Sequence, residues 1–205
     1  ELLWVPVNSA WKSLRGSLLN LSYGYGKVYV VPHEKVNGQV QGGMCQLPFK
    51  QFPTGVMRGR FHPGDGQLYA CGMFAWAGSQ NQPGGFYRIR YTGKPAYAPV
   101  GLTTAKQTVV VTFTDALEKE SSEKPEAWTI EAWGLKRTKS YGSKHYNQRQ
   151  WKVEKAALSA DGKTVTLTIP ELAPTWGMSI RCKIRGATGE EVQREIHNSI
   201  HALGK

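Results

Sequence analysis

The stretch GVMRGRFHPGDGQLYACGMFAW, residues 55–76, indicates the fold of the first half of this chain. Two segments with alternating apolar residues flank the sequence Pro63-Gly-Asp-Gly66. Glycine supplies the positive φ that a tight turn needs and aspartate tolerates it, so the pattern predicts a β-hairpin. Arg58 and Arg60 lie two residues apart in the first predicted strand, hence on one face of it. They either face solvent, with Met57 and Phe61 buried, or point at a ligand.

Most of the remaining sequence shows the same short runs of period 2 between turn residues, which predicts an all-β protein. Only residues 115–122 favour a helical turn. The predicted strands are residues 18–22, 27–31, 39–47, 56–61, 67–73 and 85–91 in the first half, and 107–113, 126–133, 150–154, 163–169, 178–184 and 191–197 in the second.

A composition shift near Lys94-Pro-Ala-Tyr-Ala-Pro99 predicts a boundary between two domains, residues 1–95 and 96–205, because prolines interrupt strands. The strand spacing after this boundary is typical of a β-sandwich. Asp161-Gly162 is a strong hairpin signal. The residues Val165, Leu167 and Ile169 that follow are expected to face the core, with the threonines between them facing water.

The chain carries a formal net charge of +11, and its densest basic segment runs from Lys136 to Lys155. This segment is either a solvated loop or a surface for a polyanion. No recognisable nucleic-acid-binding motif is interleaved with the basic residues, which argues against a nucleic-acid partner. No apolar run of 18 residues occurs, so we expect no membrane span. The sequence opens at Glu1 without a methionine or signal peptide, which predicts a mature or excised segment.

Three cysteines, Cys45, Cys71 and Cys182, occur without CxxC or CxxCH spacing. This spacing predicts no zinc, iron–sulfur or haem-attachment site. A Cys45–Cys71 disulfide would require neighbouring strands, and the alternative is that the cysteines are small buried hydrophobes. His197 and His201 have HxxxH spacing but follow a strand pattern, so we expect no metal site there.

The segments MRGRFHPGDGQLYAC (57–71) and GFYRIRY (85–91) are similar to a blade of the glucose/sorbosone dehydrogenase-like β-propellers, which are secreted quinoprotein-type sugar dehydrogenases. The wider stretch of residues 55–95 resembles large secreted proteins of planctomycetes and verrucomicrobia that join such a propeller to c-type haem domains. The resemblance implies the closing blades of a propeller and a secreted or periplasmic location. About two blades are present, so the remaining blades are expected upstream or in another chain.

The same resemblance implies functional residues for a propeller-based sugar oxidoreductase, of which this chain would be the C-terminal portion without a complete active site. Arg58 best matches the arginine that holds the carboxylates of a quinone, and Arg60 is next on the same strand. His62 could act as an acid or base near a sugar. The implied cofactors of the full-length protein are pyrroloquinoline quinone and calcium, with haem c only in other domains, and an electron-transfer cytochrome is an implied partner.

The second half, in TVVVTFTDAL (108–117) and LSADGKTVTLTI (158–169), resembles a bacterial Ig-like domain of the surface-layer type. The expected fold is therefore the closing blades of a β-propeller followed by an Ig-like β-sandwich. An alternative function is a non-catalytic scaffold module that binds a polysaccharide or another partner. The aromatic residues that could stack on sugar rings in either case are Trp76, Tyr141, Tyr146 and Trp151.

Overall fold

The structure is a computed structural model that describes residues 1–75, 78 and 80–205. The protein is all-β, with several antiparallel sheets, none of which is closed within these residues. A short helix, α1 (Lys119–Ser122), and two 3₁₀ turns, Lys12–Leu14 and Pro125–Ala127, interrupt the strands. The strands in chain order are β1 (Leu2–Trp4), β2 (Leu18–Ser22), β3 (Lys27–Val30), β4 (His33–Val36), β5 (Gln39–Gln46), β6 (Arg58–Phe61), β7 (Leu68–Met73), β8 (Gly84–Ile89), β9 (Pro99–Ala105), β10 (Thr108–Phe113), β11 (Trp128–Gly134), β12 (Tyr146–Trp151), β13 (Lys155–Leu158), β14 (Thr164–Thr168), β15 (Thr175–Arg185) and β16 (Glu191–Ile200).

The chain divides into two compact units. Unit 1 comprises Glu1–Val31 and Gln46–Ala98, and unit 2 comprises Pro32–Cys45 and Pro99–Lys205. Residues 32–45 therefore belong with the second half of the chain, whereas the sequence analysis placed them in a first domain ending at residue 95. The physical reason is strand pairing, because β5 lies antiparallel to β16 with Cys45 opposite Ile196.

Unit 1 contains the hairpin predicted from residues 55–76. Strands β6, β7 and β8 form a three-stranded antiparallel sheet, and β1, β2 and β3 pair in order as antiparallel neighbours. The β6–β7 register runs from Arg58 opposite Cys71 to Phe61 opposite Leu68. In the connecting turn, Gly66 has φ +65° and a Cβ there would lie 2.5 Å from the backbone nitrogen of Ala10. This turn therefore requires glycine at position 66.

The core of unit 1 is built from alternate residues of its strands and from one edge-to-face aromatic pair. The ring of Trp11 lies 5.5 Å from that of Phe61 at an interplanar angle of 88°. Burial of one strand face in this way leaves the opposite face for polar or functional side chains. The buried strand residues are Leu19, Leu21, Val28, Val30, Leu68 and Ala70.

Unit 2 contains two groups of antiparallel strands. Six strands pair successively in the order β4–β5–β16–β15–β11–β12, and β13–β14–β10–β9 form a four-stranded sheet. The predicted hairpin at Asp161-Gly162 is confirmed between β13 and β14. Val165, Leu167 and Ile169 are fully buried, which confirms the predicted core face.

A buried polar network joins three separate segments of unit 2. The side-chain oxygen of Gln41 accepts hydrogen bonds from the backbone nitrogens of His201 (2.8 Å) and Ala202 (3.0 Å). Its Nε2 donates to the carboxylate of Glu34 (2.7 Å), which also accepts from the hydroxyl of Thr104 (2.7 Å). Since Gln41 is only 5% exposed, these groups have little access to water if its amide is removed.

We expect the substitution Gln41→Leu to lower the free energy of unfolding by about 1–3 kcal/mol, because buried donors and acceptors lose their partner. Urea titration of the variant and the parent chain measures this difference. Gln39→Leu is the matched control, since Gln39 is exposed and its amide donates only to the carbonyl of Val40. Equal destabilisation by the two substitutions would contradict the role assigned to the network.

Candidate functional site

Unit 1 presents an exposed sheet face formed by alternate residues of β6, β7 and β8. Because successive side chains of a strand point to opposite faces, the residues between them, such as Leu68 and Ala70, face the core. We call this surface the arginine face. Its members are Arg58, Arg60, Tyr69, Cys71, Phe86 and Arg88.

One cross-strand row of the arginine face consists of Arg58, Cys71 and Phe86. Arg58 lies opposite Cys71, and Cys71 lies opposite Phe86. Adjacent strands are about 4.8 Å apart, so the guanidinium-bearing strand and the Phe86 strand are separated by roughly 10 Å. The small thiol between the two larger side chains leaves a concavity of about 640 Å³, which all three residues line.

The second row consists of Arg60, Tyr69 and Arg88 and is organised by Asp65 in the turn. The carboxylate of Asp65 accepts hydrogen bonds from the backbone nitrogen of Gln67 (3.0 Å) and the hydroxyl of Tyr69 (2.9 Å). It also forms a salt bridge with Arg88 at 2.8 Å. The Gln67 N–H, the Tyr69 hydroxyl and Arg88 lower the pKa of Asp65, and the bond to Asp65 raises the pKa of Tyr69.

His62, the predicted acid or base, lies at the rim of the concavity. Its side chain is 57% exposed, and its Nδ1 lies 3.5 Å from Asp65 Oδ1. That distance exceeds the range of a strong hydrogen bond. Asp65 also serves the turn, as the sequence predicted. The arrangement thus gives His62 a neighbouring carboxylate that is already engaged by other donors.

Arg60 and Arg58, the two predicted cofactor residues, differ in their partners. Arg60 Nη1 donates to Glu1 Oε1 (2.7 Å) and to the carbonyl of Gly59 (2.6 Å). Burial raises the pKa of Glu1, but the hydrogen bonds from Arg60 and the Gly59 N–H, together with the charges of Arg60 and Arg58, outweigh burial and lower the pKa overall. Arg58 has one long contact, 3.5 Å, to the carbonyl of Met57, and forms no salt bridge within the described residues.

If the two arginines simply face solvent, Met57 and Phe61 were expected to be buried, and neither of them is. Both Arg58 and Arg60 are exposed, as expected, but Met57 is also 37% exposed and Phe61 is only partly buried. The buried residue of this segment is Val56, just before β6 begins. The register of β6 against β7 therefore buries Gly59 rather than a large side chain between the arginines.

The arginine face combines groups that suit a planar anion. The guanidinium of Arg58 offers paired donors that match the two oxygens of a carboxylate. Phe86 is 73% exposed and offers a ring for stacking. A ligand lying over Cys71 would contact both, with Arg60 as a second cation at the next position along β6.

The four predicted sugar-binding aromatics do not form one group. Trp76 lies outside the described residues. Tyr141 and Tyr146 are 98% and 38% exposed in unit 2. Trp151 is only 4% exposed, so the prediction of an accessible ring needs correction; this side chain belongs to the core, with the guanidinium of Arg149 5.2 Å from its ring.

The cysteines also differ in accessibility. No disulfide joins them within the described part of the chain; Cys45 and Cys182 are buried, whereas Cys71 is exposed on the arginine face. Burial raises the pKa of Cys45 to about 11 and that of Cys182 to about 12. The Cys45–Cys71 disulfide considered from the sequence is therefore absent.

The sequence analysis did not assign Tyr69, Cys71, Phe86 or Arg88 to a site. The signal that could have found them is the alternation of β7 and β8 combined with the hairpin register. Because Arg58 lies opposite Cys71, Cys71 shares its face of the sheet. Alternation then places every second residue of β7 and β8 on that face.

Residues 1–75, 78 and 80–205 contain no group of three or more His, Cys, Asp or Glu side chains that could hold a metal ion. No helix in these residues has the length and apolar character needed to span a membrane. Comparisons with protein-family models, with curated proteins and with solved structures found no significant match.

We expect iodoacetamide to modify one thiol per folded chain at pH 8, and mass spectrometry to locate it at Cys71. The raised pKa values of Cys45 and Cys182 leave almost no thiolate there, and burial blocks access to both. In denaturant all three cysteines should react. Modification of Cys45 or Cys182 in the folded chain at the rate of Cys71 would contradict this structure.

The lowered pKa of Asp65 makes its contribution to stability dependent on pH. Its carboxylate stabilises the folded chain at pH values above the unfolded pKa of about 3.9, and this stabilisation is lost as pH falls through the lower folded pKa. Asp65→Asn should therefore destabilise the chain at pH 7, and the difference from the parent should shrink below about pH 4. Urea midpoints between pH 7 and pH 2.5 measure it. Glu171→Gln, at an exposed carboxylate, is the control; a pH-independent effect of Asp65→Asn would refute the assignment.

Proposed function

We propose that the arginine face binds a planar, carboxylate-bearing ligand, and that this chain is the C-terminal part of a secreted, propeller-based sugar oxidoreductase. On its own the chain would lack a complete active site. The observation that carries the proposal is the position of Arg58. Its exposed guanidinium, which forms no salt bridge among the described residues, lies across Cys71 from the exposed ring of Phe86.

The physical chemistry of this row supports a carboxylate ligand. Arginine remains charged at all physiological pH values and binds carboxylate with two parallel hydrogen bonds. A phenyl ring that is 73% exposed gains free energy when a flat ligand covers it. One molecule that bears a carboxylate on an aromatic or sugar ring could contact both the guanidinium of Arg58 and the ring of Phe86.

The strand arrangement supports the finer fold proposal. The β6–β7–β8 meander supplies three of the four strands of a propeller blade, so a complete blade requires a further strand. In unit 2, the β13–β14–β10–β9 sheet has one largely buried face, as an Ig-like β-sandwich requires. We therefore propose propeller-like blades in the first half and an Ig-like sandwich in the second.

The residues of the arginine face fit the quinone that the resemblance implies, but they do not fit calcium. Arg58 would hold a carboxylate of pyrroloquinoline quinone, Arg60, which already pairs with Glu1, would be a second donor, and Phe86 would orient the ring system. The bound quinone would supply the two-electron oxidation chemistry. Calcium requires several oxygen ligands, and Asp65 is already engaged by Gln67, Tyr69 and Arg88. Calcium ligands would therefore have to come from elsewhere in the full-length protein.

A second candidate function is a non-catalytic module that binds an acidic carbohydrate. The surroundings of His62, the predicted acid or base, favour this candidate. His62 has no carboxylate within strong hydrogen-bond distance in the described structure, so no carboxylate there orients it for proton transfer. A uronate sugar could then lie on Phe86 with its carboxylate on Arg58 without being oxidised. The two candidates share the Arg58 contact and differ in the ligand.

The test is calorimetric titration of the chain with pyrroloquinoline quinone, with a uronate oligosaccharide and with a neutral glucose oligosaccharide. We expect Arg58→Ala to weaken binding of the quinone about 10- to 100-fold, because a charge-assisted hydrogen bond is lost. Arg90→Ala is the matched control, since Arg90 is exposed, lies beyond the end of β8 and does not line the concavity. Bound ligand should also slow alkylation of Cys71, which reports its position independently of affinity.

The oxidoreductase proposal is supported if the chain binds the quinone more tightly than the uronate, if Arg58→Ala weakens that binding, and if the bound quinone slows alkylation of Cys71. Aldose oxidation by the full-length protein supplied with the quinone and calcium, abolished by the same substitution, would extend that support to activity. Preference for the uronate with the same two effects supports the carbohydrate module instead. Binding that is unchanged by Arg58→Ala, or no binding of either acid, overturns the proposed site.

A further inference from the structure

A second cationic surface lies in unit 2, on the extended connection between β11 and β12 and on β12 itself. We call residues 134–152 the basic hairpin. Strand β12 pairs with β11 and is the last strand in its order of pairing, so its other edge has no strand neighbour among the described residues. Residues 135–150 are all exposed.

The charge of the basic hairpin is of one sign. It contains no Asp or Glu, and none of its lysines or arginines forms a salt bridge within the described residues. By contrast, Arg181 in the same unit pairs with Glu131 and Glu195. The hairpin cations are Lys136, Arg137, Lys139, Lys144, Arg149 and Lys152.

Glu131, the carboxylate on the strand that pairs with β12, forms no salt bridge with the cations of the basic hairpin. Glu131, on β11, accepts a hydrogen bond from Gln148 and forms its salt bridge with Arg181 at 3.3 Å. Glu154 follows the hairpin in the sequence and is exposed. Six neighbouring cations without acidic partners repel one another, and a polyanion would relieve that repulsion.

Aromatic and amide side chains lie among the cations. Tyr141 is 98% exposed and Tyr146 is 38% exposed, so both rings can stack on a ligand. Asn147 adopts φ +51° where the β11–β12 register shifts, which marks a bulge in the edge strand. Gln150 is exposed on the same strand, and so is Gln148, whose amide nitrogen donates to Glu131. Side-chain amides both donate and accept, which suits the hydroxyl groups of a sugar.

We propose that the basic hairpin is a binding surface for a linear acidic polysaccharide, one whose carboxylates or sulfates recur along an extended chain. Lysine predominates among the cations and acts as a point charge, so no fixed orientation of the anionic group is demanded. The exposed tyrosines and amides match sugar rings and hydroxyls, and the absence of a recognisable nucleic-acid-binding motif in the sequence favours a polysaccharide over a nucleic acid. The surface lies wholly in unit 2 and does not depend on the function proposed for the arginine face.

The experiment compares two triple variants that remove the same charge. The hairpin variant is Lys136→Gln, Arg137→Gln, Lys139→Gln, and the control variant is Lys106→Gln, Lys119→Gln, Lys163→Gln, at three exposed lysines elsewhere in unit 2. All six side chains are exposed, so both variants should fold, and urea titration verifies this. Affinity electrophoresis measures binding to heparin, to polygalacturonate, to neutral dextran and to single-stranded DNA.

We expect the parent chain to bind heparin or polygalacturonate but not dextran, with binding weakened by added salt. The hairpin variant should lose roughly 5- to 100-fold in affinity, since three ion contacts are removed, while the control variant binds like the parent. Tyr141→Ala should weaken binding further without changing its dependence on salt.

Three outcomes would overturn the proposal. Equal losses in the two triple variants would show an effect of net charge rather than of the hairpin. If the parent chain binds neither acidic polysaccharide, the basic hairpin is not a polysaccharide-binding surface. Tighter binding to single-stranded DNA than to either polysaccharide, lost in the hairpin variant, would replace the polysaccharide with a nucleic acid.

Discussion

The register of β6 against β7 is the constraint on which the candidate site depends. Because side chains alternate with period 2, a slip of one residue would turn Arg58 and Arg60 toward the core and Gly59 toward solvent. Burial of two unpaired guanidinium groups would be costly, so the slipped register is disfavoured. The turn adds a local restraint, since Asp65 accepts the Gln67 N–H and only glycine fits at position 66 beside Ala10.

The same turn explains why one arginine of the face differs from the others. Arg88 is compensated by Asp65 and Arg60 by Glu1, each at hydrogen-bond distance. Arg58 lies one row further from the turn, beyond the reach of Asp65, and its cross-strand neighbour is the uncharged Cys71. Of the three arginines, Arg58 alone forms no salt bridge within the described residues, although its charge also acts on Glu1. The proposed preference for an anion with a flat apolar part rests on that placement.

Local patterns in the sequence predicted the features that are themselves local. Hairpins at Pro63–Gly66 and Asp161–Gly162 and the buried face of β14 depend only on turn residues and alternation. The assignment of residues 32–45 to unit 2 depends on pairing between β5 and β16, which are far apart in sequence and share no local signal. The burial of Trp151 was likewise missed, because it follows from pairing opposite the buried Ile130 of β11, which no local signal shows. The short strands β1, β4 and β13 offer too few residues for a period to be recognised.

The arginine face and the basic hairpin suit ligands of different size. At physiological ionic strength charges are screened over about 8 Å, so exposed lysines of the basic hairpin attract an anion weakly one at a time. They act together only on a ligand long enough to contact several of them, which is a polymer. Arg58 instead lines a concavity of about 640 Å³, where direct contact with one carboxylate and one ring suffices. Binding at the hairpin should therefore weaken steeply with salt, whereas binding at Arg58 depends mainly on close hydrogen-bond geometry.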